Sequence, residues 1–167
     1  STIGLTLALA PLHRAAGLER VVVTTLQAAS GAGFPGVPSL DLIDNVVPGI
    51  GGEEHKIEQE PLKIFGALDG ETVRPAGIVI SSHTHRVPVS DGHLMAVSLK
   101  TREHLDLDRA EQALAAFRGE PQERALPSAP ARPVVLVEGD DRPQPRLDRN
   151  AGDGMAVVVG RMRPCPV

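Results

Sequence analysis

The sequence predicts an α/β (or α+β) fold, a single mixed β-sheet covered by helices. Three observations carry this. Apolar, mostly β-branched runs stand at residues 20–27 (RVVVTTLQ), 77–82 (GIVISS) and 155–160 (MAVVVG), each short enough for a buried strand. Residues 94–100 alternate, with Met95, Val97 and Leu99 on one side. Between the strands lie segments of helical spacing, best developed at residues 108–118, joined by long loops.

Element by element, residues 1–17 fit two patterns. Leu5, Leu7 and Leu9 alternate as in a strand, whereas the alanines favour a helix capped by Ser1 or Thr2 and ended by Gly17. Pro11 is expected to break or kink such a helix. After the strand at residues 20–27 comes a small-residue loop, residues 28–33. Ser39 is a candidate cap for a short helix over residues 39–46, and Pro48 and Gly49 end it. Residues 53–65 form a charged helix with a kink or restart at Pro61, and Asp69-Gly70 marks a turn. Residues 87–89 continue the strand at 77–82 in extended form, and Ser90-Asp91-Gly92 turns the chain. Asp108 and Glu111 have capping-box spacing for the helix at 108–118. A Pro/Ala-rich connector, a short strand at 134–137 and a polar, Arg-rich segment at 140–150 precede the last strand.

Composition sets bounds on function. A chain of 167 residues fits one domain with an ordinary core. It has three Phe, no Trp and no Tyr, so the core is aliphatic and the stacking platforms of single-stranded nucleic acid sites are missing. The net charge of -4 argues against a nucleic-acid or anionic-membrane surface. No apolar run has the length of a membrane span, and residues 3–12 lack the basic start of a signal peptide. The one cysteine, Cys165, excludes an intrachain disulfide framework and makes a cytoplasmic setting the default.

Chemistry is concentrated in few places. Arg86 and His93 flank a turn that brings strand ends together. His93 shares parity with Met95 and is expected on the buried side, where lost hydration lowers an imidazole pKa toward that of a general base. Arg86 offers a planar fork to a carboxylate. A core histidine with a surface arginine accounts for the same pattern. His83 and His85 share a strand face, but no third ligand accompanies them, so no metal is expected. The loop at 27–33 either cradles a phosphate or cofactor on its N–H groups or is a tight turn. Glu60 and Lys63 have the spacing of a solvated helical pair.

Taken together, these segments resemble the aspartate-semialdehyde dehydrogenase family, in its archaeal and fungal-type branch. Ser1-Thr-Ile-Gly is similar to the residues after the nucleophile in that family's Asn-Cys-Ser-Thr motif. Gln27-Ala-Ala-Ser30-Gly31 resembles its Gln-Ala-x-Ser-Gly stretch, and Arg86-Val-Pro-Val-Ser-Asp-Gly-His93 its arginine-to-histidine segment. Residues 36–48, 53–58 and 160–163 resemble it too, whereas residues 121–154 match more loosely. The resemblance implies the family's C-terminal (dimerisation) domain over residues 1–167, without the N-terminal Rossmann NADP-binding domain or the closing C-terminal helix.

By that resemblance His93 is the acid/base and Gln27 orients the reacting acyl group. Arg86 clamps the substrate carboxylate, Glu60 meets its ammonium, and Lys63 or Lys56 its phosphate, with Lys63 the better spaced. Ser30 and Gly31 touch NADP, which the missing domain binds in the main. The implied reaction is NADP-dependent, reversible reductive dephosphorylation of aspartyl 4-phosphate to aspartate semialdehyde through a cysteine thioester, in lysine, methionine and threonine biosynthesis. The nucleophile would immediately precede Ser1, so the chain alone is expected to be inactive. Its partners are a small-molecule substrate and a second copy in a homodimer. Two other readings stand beside this one, a malonyl-CoA reductase-like enzyme and a non-catalytic dimerisation module.

Overall fold

A computed structural model describes residues 1–166. In chain order its elements are α1 (Thr2–Ala16), β1 (Leu18–Gln27), a 3-10 turn (Ala29–Ala32), α2 (Ser39–Leu42), β2 (Val47–Pro48) and α3 (Glu53–Ile64). Then follow β3 (Ala67–Asp69), β4 (Thr72–Arg74), β5 (Val79–Arg86), β6 (His93–Thr101), α4 (Leu107–Ala115), α5 (Glu120–Glu123), β7 (Val134–Leu136), α6 (Pro145–Asp148) and β8 (Val157–Val159). The mixed α/β class stands as the sequence predicts. In place of one sheet, a four-stranded sheet is joined by two two-stranded ribbons. The residues divide into two compact units, one of Ser1–Thr2 and Glu19–Lys100, the other of Ile3–Leu18 and Thr101–Val167.

The first unit holds the four-stranded sheet, in the order β2-β5-β1-β6. β1 and β5 run parallel and in register from Arg20 opposite Val79 to Gln27 opposite Arg86, and β2 pairs antiparallel with the end of β5. Side chains alternate between the faces. Val21, Val23, Thr25 and Gln27 of β1 are buried, as are Ser82, Thr84 and Arg86 of β5. The opposite face is open, with Val22 41% and Val79 65% exposed and His83 exposed beside them. The strand expected at residues 77–82 therefore continues to Arg86, taking both histidines into the sheet.

β6 departs from the expectation of a buried side carrying His93. No residue of β6 is buried, His93 is exposed and Val97 is 39% exposed. β6 stands last in the strand order, so it has a neighbour on one side only among the described residues. Alternation in the sequence shows that two faces differ, but not that either is covered.

In the second unit α1 runs unbroken through Pro11. Leu5, Leu9, Leu12 and Ala16 recur on one stripe and are buried, which outweighs the loss of one helical hydrogen bond at the proline. Gly17 at φ +62° ends the helix, its N–H bonded to the His13 carbonyl 2.9 Å away. Pro61 is likewise inside α3 and buried, without ending it. α2 is shorter than expected and starts at Ser39, with Pro38 at the cap position and no side-chain cap.

The cap of α4 is Asp106, not Asp108. Its carboxylate accepts from the Arg109 N–H at 2.8 Å, and Ala110 and Leu114 turn inward. In the Arg-rich segment, buried Asp148 accepts from Arg142 Nε at 2.9 Å and from the Gln144 N–H. The hydrogen bond from Arg142 holds the Asp148 carboxyl below the usual carboxylate range. β7 and β8 pair in parallel as the second ribbon of the molecule.

Two aspartates two residues apart thus have different roles. Asp106→Ala leaves the Arg109 N–H without its acceptor and is expected to cost about 1 kcal/mol. Asp108→Ala removes only a first-turn charge, worth roughly a few tenths of that. Urea unfolding of the two variants checks this, with the larger fall in midpoint expected for Asp106→Ala.

Candidate active site

The site is assembled at the carboxyl ends of the parallel pair, where open α/β sheets place their ligands. Gln27 and Arg86 are the last residues of β1 and β5 and lie directly opposite each other in register. Both are on the buried face, 3% and 7% exposed. Gln27 Nε2 donates to Thr25 Oγ1 at 3.2 Å, and Arg86 Nη1 donates to the Ala28 carbonyl at 2.8 Å. Each side chain is therefore held in place before a ligand arrives.

The 3-10 turn Ala29–Ala32 folds over this arginine. Ala29 N–H and Ser30 N–H donate to the carbonyls of Val89 and Ser90, tying the turn to the loop that leads into β6. Gly31 lies so close that a Cβ there would stand 2.7 Å from Arg86 Nη1 and 3.6 Å from His93 Nε2. A side chain at this position would have to displace the end of the Arg86 side chain. The N–H groups of Gly31 and Gly33 are taken by Ala28 and Ser30 carbonyls. These two amides are thus engaged within the turn, in keeping with the tight-turn alternative for this loop, and Ser30 and Gly31 are exposed.

His93 opens β6 at the rim of this cluster. Ser1 Oγ lies 3.3 Å from its Nδ1. Although the residue as a whole is exposed, packing around the ring removes enough hydration to lower its pKa. Arg86 pushes the same way, while Glu53 opposes it. The neutral imidazole is thereby favoured near pH 7, which suits proton transfer.

Glu53, the first residue of α3, is the site residue that the sequence reading missed. Ser1 Oγ donates to its Oε2 at 3.5 Å, and Lys56 Nζ donates to its Oε1 at 3.2 Å. Burial raises its pKa, but the hydrogen bond and charge of Lys56 and a hydrogen bond from Gln27 hold it below the usual carboxylate range. Glu53 and Lys56 have the same i, i+3 spacing as Glu60 and Lys63, so the available signal was the Glu53-Glu-His-Lys56 run itself.

Of the two lysines, Lys56 is brought to the site and Lys63 is not. Lys63 lies exposed in the last turn of α3, two turns farther along. Glu60 is engaged elsewhere, its Oε2 accepting from Thr2 Oγ1 at 2.5 Å. His83 and His85 lie on the open sheet face, and His85 Nδ1 is buried without a hydrogen-bond partner. Among the described residues no group of three or more His, Cys, Asp or Glu side chains converges as metal ligands. No helix among them is long and apolar enough to cross a membrane.

Residues 9–167 match the family model described as the semialdehyde dehydrogenase dimerisation domain. An aspartate-semialdehyde dehydrogenase of Methanothermobacter thermautotrophicus is 52% identical over 98% of the chain and 47% of its own length. One from Cryptococcus neoformans is 47% identical over 100% of the chain and 48% of its own length. Among solved structures, aspartate semialdehyde dehydrogenase with NADP from Candida albicans superposes with a TM-score of 0.89 at 38% identity, covering 97% of this chain and 46% of that one. The chain thus spans about half the length of the curated relatives it matches. On the family match and these identities, the chain belongs to the semialdehyde dehydrogenase dimerisation-domain family.

Proposed function

We propose that the chain supplies the catalytic and dimerisation half of an NADP-dependent aspartate-semialdehyde dehydrogenase. One observation carries the reading: Gln27, Arg86, His93 and Glu53 converge at the ends of β1 and β5, next to Ser1. A cysteine joined to the nitrogen of Ser1 would stand close to His93, whose Nδ1 lies 3.3 Å from Ser1 Oγ.

In that arrangement His93 takes the thiol proton and returns one later to the departing group. Arg86 fixes the substrate carboxylate in a bidentate grip. Its buried, prepaid position makes that grip directional. Glu53 receives the substrate ammonium, a role its retained negative charge supports better than the Thr2-bound Glu60. Lys56 neutralises the phosphate, and Gln27 orients the acyl oxygen. NADP supplies the hydride, with Ser30 and Gly31 as a contact surface beside Arg86 and the remaining cofactor contacts outside this chain.

The open face of β1 and β5 fits a second copy of the chain. Val22, Leu26 and Val79 lie on it with His83 and His85, and the family model is described as a dimerisation domain. An apolar sheet face of this kind is stable in water when another face covers it.

Three outcomes follow from this reading. The purified chain should show no NADP-dependent turnover of aspartate semialdehyde; measurable turnover would overturn the placement of the nucleophile before Ser1. Calorimetric titration of the chain with aspartate semialdehyde should weaken about tenfold to a hundredfold in Arg86→Ala, the loss of charge-assisted hydrogen bonds. Gly31→Ala should weaken it in the same direction by displacing the Arg86 guanidinium, and unchanged affinity in both would reject the clamp. Sedimentation should find a dimer at micromolar concentration and a monomer for Val22→Asp; a monomeric parent chain would reject the interface.

A further inference from the structure

The outward edge of β5 is an incomplete strand edge. β2 pairs only with His85 and Arg86, and Gly49 N–H reaches the Thr84 carbonyl at 2.7 Å. Beyond that point the N–H groups of Ser82 and Thr84 have no strand to meet among the described residues. Two carboxylates of α3 take the strand's place. Glu54 Oε1 accepts from Thr84 N–H at 3.0 Å and from Thr84 Oγ1 at 3.4 Å. One helical turn on, Glu58 Oε1 accepts from Ser82 N–H at 3.0 Å and from Ser82 Oγ at 3.4 Å. Ser82 Oγ is also 3.1 Å from the Glu54 carbonyl, as donor. The spacings match: four residues of helix rise about 6 Å, and two residues of strand rise about 6.6 Å. Each helical carboxylate therefore meets every second strand amide.

We propose that Glu54 and Glu58 are positioning residues, a two-rung carboxylate ladder that fixes α3 against β5 and so sets Glu53 and Lys56 opposite Gln27, Arg86 and His93. Apolar packing through Ile57 and Pro61, both buried, holds the helix near the sheet but leaves it free to slide. Hydrogen bonds from main-chain donors to ionised acceptors are directional and define the register of the helix along the strand. Glu53 adjoins Glu54 in sequence, so register at one is register at the other. The proposal rests on the reading that Glu53 and Lys56 face the reacting groups.

The test reads the helix through Glu53's effect on its neighbour. Among carboxylates, Glu53 acts on the His93 charge. NMR titration of the His93 ring is therefore run on the chain, on Glu53→Gln and on the Glu54→Ala/Glu58→Ala double variant, with amide exchange at Ser82 and Thr84. Glu53→Gln is expected to lower the His93 midpoint. The double alanine variant is expected to lower it to the same value, with faster exchange at both amides, and adding Glu53→Gln to it should lower it no further. The Glu54→Gln/Glu58→Gln variant keeps both acceptors and should restore the parent midpoint. An unmoved midpoint in the double alanine variant, beside a shifted Glu53→Gln, overturns the ladder. No shift in Glu53→Gln overturns the placement of Glu53 beside His93, and the proposal with it. Should the double alanine variant fail to fold, Glu58→Asp, which withdraws one acceptor by a methylene, is expected to lower the midpoint partway; the parent value there counts against the ladder.

Discussion

The in-register parallel pairing of β1 with β5 is the constraint from which the rest of the site follows. It puts Gln27 and Arg86 side by side at the strand ends and on one face. Strand side chains have period two, so a slip of one residue would send Arg86 to the open face and bring His85 inward. Burial forbids that slip. Ser82 and Thr84 of β5, 5% and 1% exposed, would be exchanged for Ser81 and His83, and a slip of β1 instead would exchange Val21, Val23 and Thr25, each 0% exposed, for Arg20, Val22 and Thr24. The apolar and threonine-lined interior of the first unit therefore positions these two polar side chains.

Around that fixed pair the charges are in opposition. Burial and Arg86 favour the neutral form of His93, whereas Glu53 favours its cation. Lys56 in turn keeps Glu53 ionised. A small shift of α3 thus changes the proton affinity of His93 without any contact to the ring being lost. Arg86 and Gln27 are buried in this cluster, whereas His93 and Lys56 keep much of their surface in solvent.

Much of this was legible in the sequence, and the exceptions have physical causes. Arg86, His93 and Gln27 were readable because they sit at the ends of segments whose own pattern announces a strand. Glu53 was not distinguished from Glu60, nor Lys56 from Lys63. In each case the two are seven residues apart, close to two helical turns, and so share a face. Pattern fixes the face of α3, but which end of that face meets the site depends on how the helix is set along β5. That setting resides in Glu54 and Glu58, whose carboxylates look like solvated surface charge in any one-dimensional reading. Pro11 and Pro61 misled for a related reason, since a buried stripe outweighs one lost hydrogen bond and only the fold reveals the stripe's cover.

β6 shows the same limit from the other side. Its alternation suggested an inward face, yet every residue of the strand keeps part of its surface in solvent. Val22 and Val79 on the open face of the central pair are similarly uncovered. A contiguous apolar face left open in water is a common mark of an interaction surface. The two faces of one sheet then divide the labour. On the inward face, alternation and burial lock the register that builds the site. On the outward face, the same alternation leaves an apolar surface whose cover a second copy can provide. A substitution on the outward face reaches the site only by loosening the register, and Gln27 and Arg86 at the strand ends would be the first to lose it.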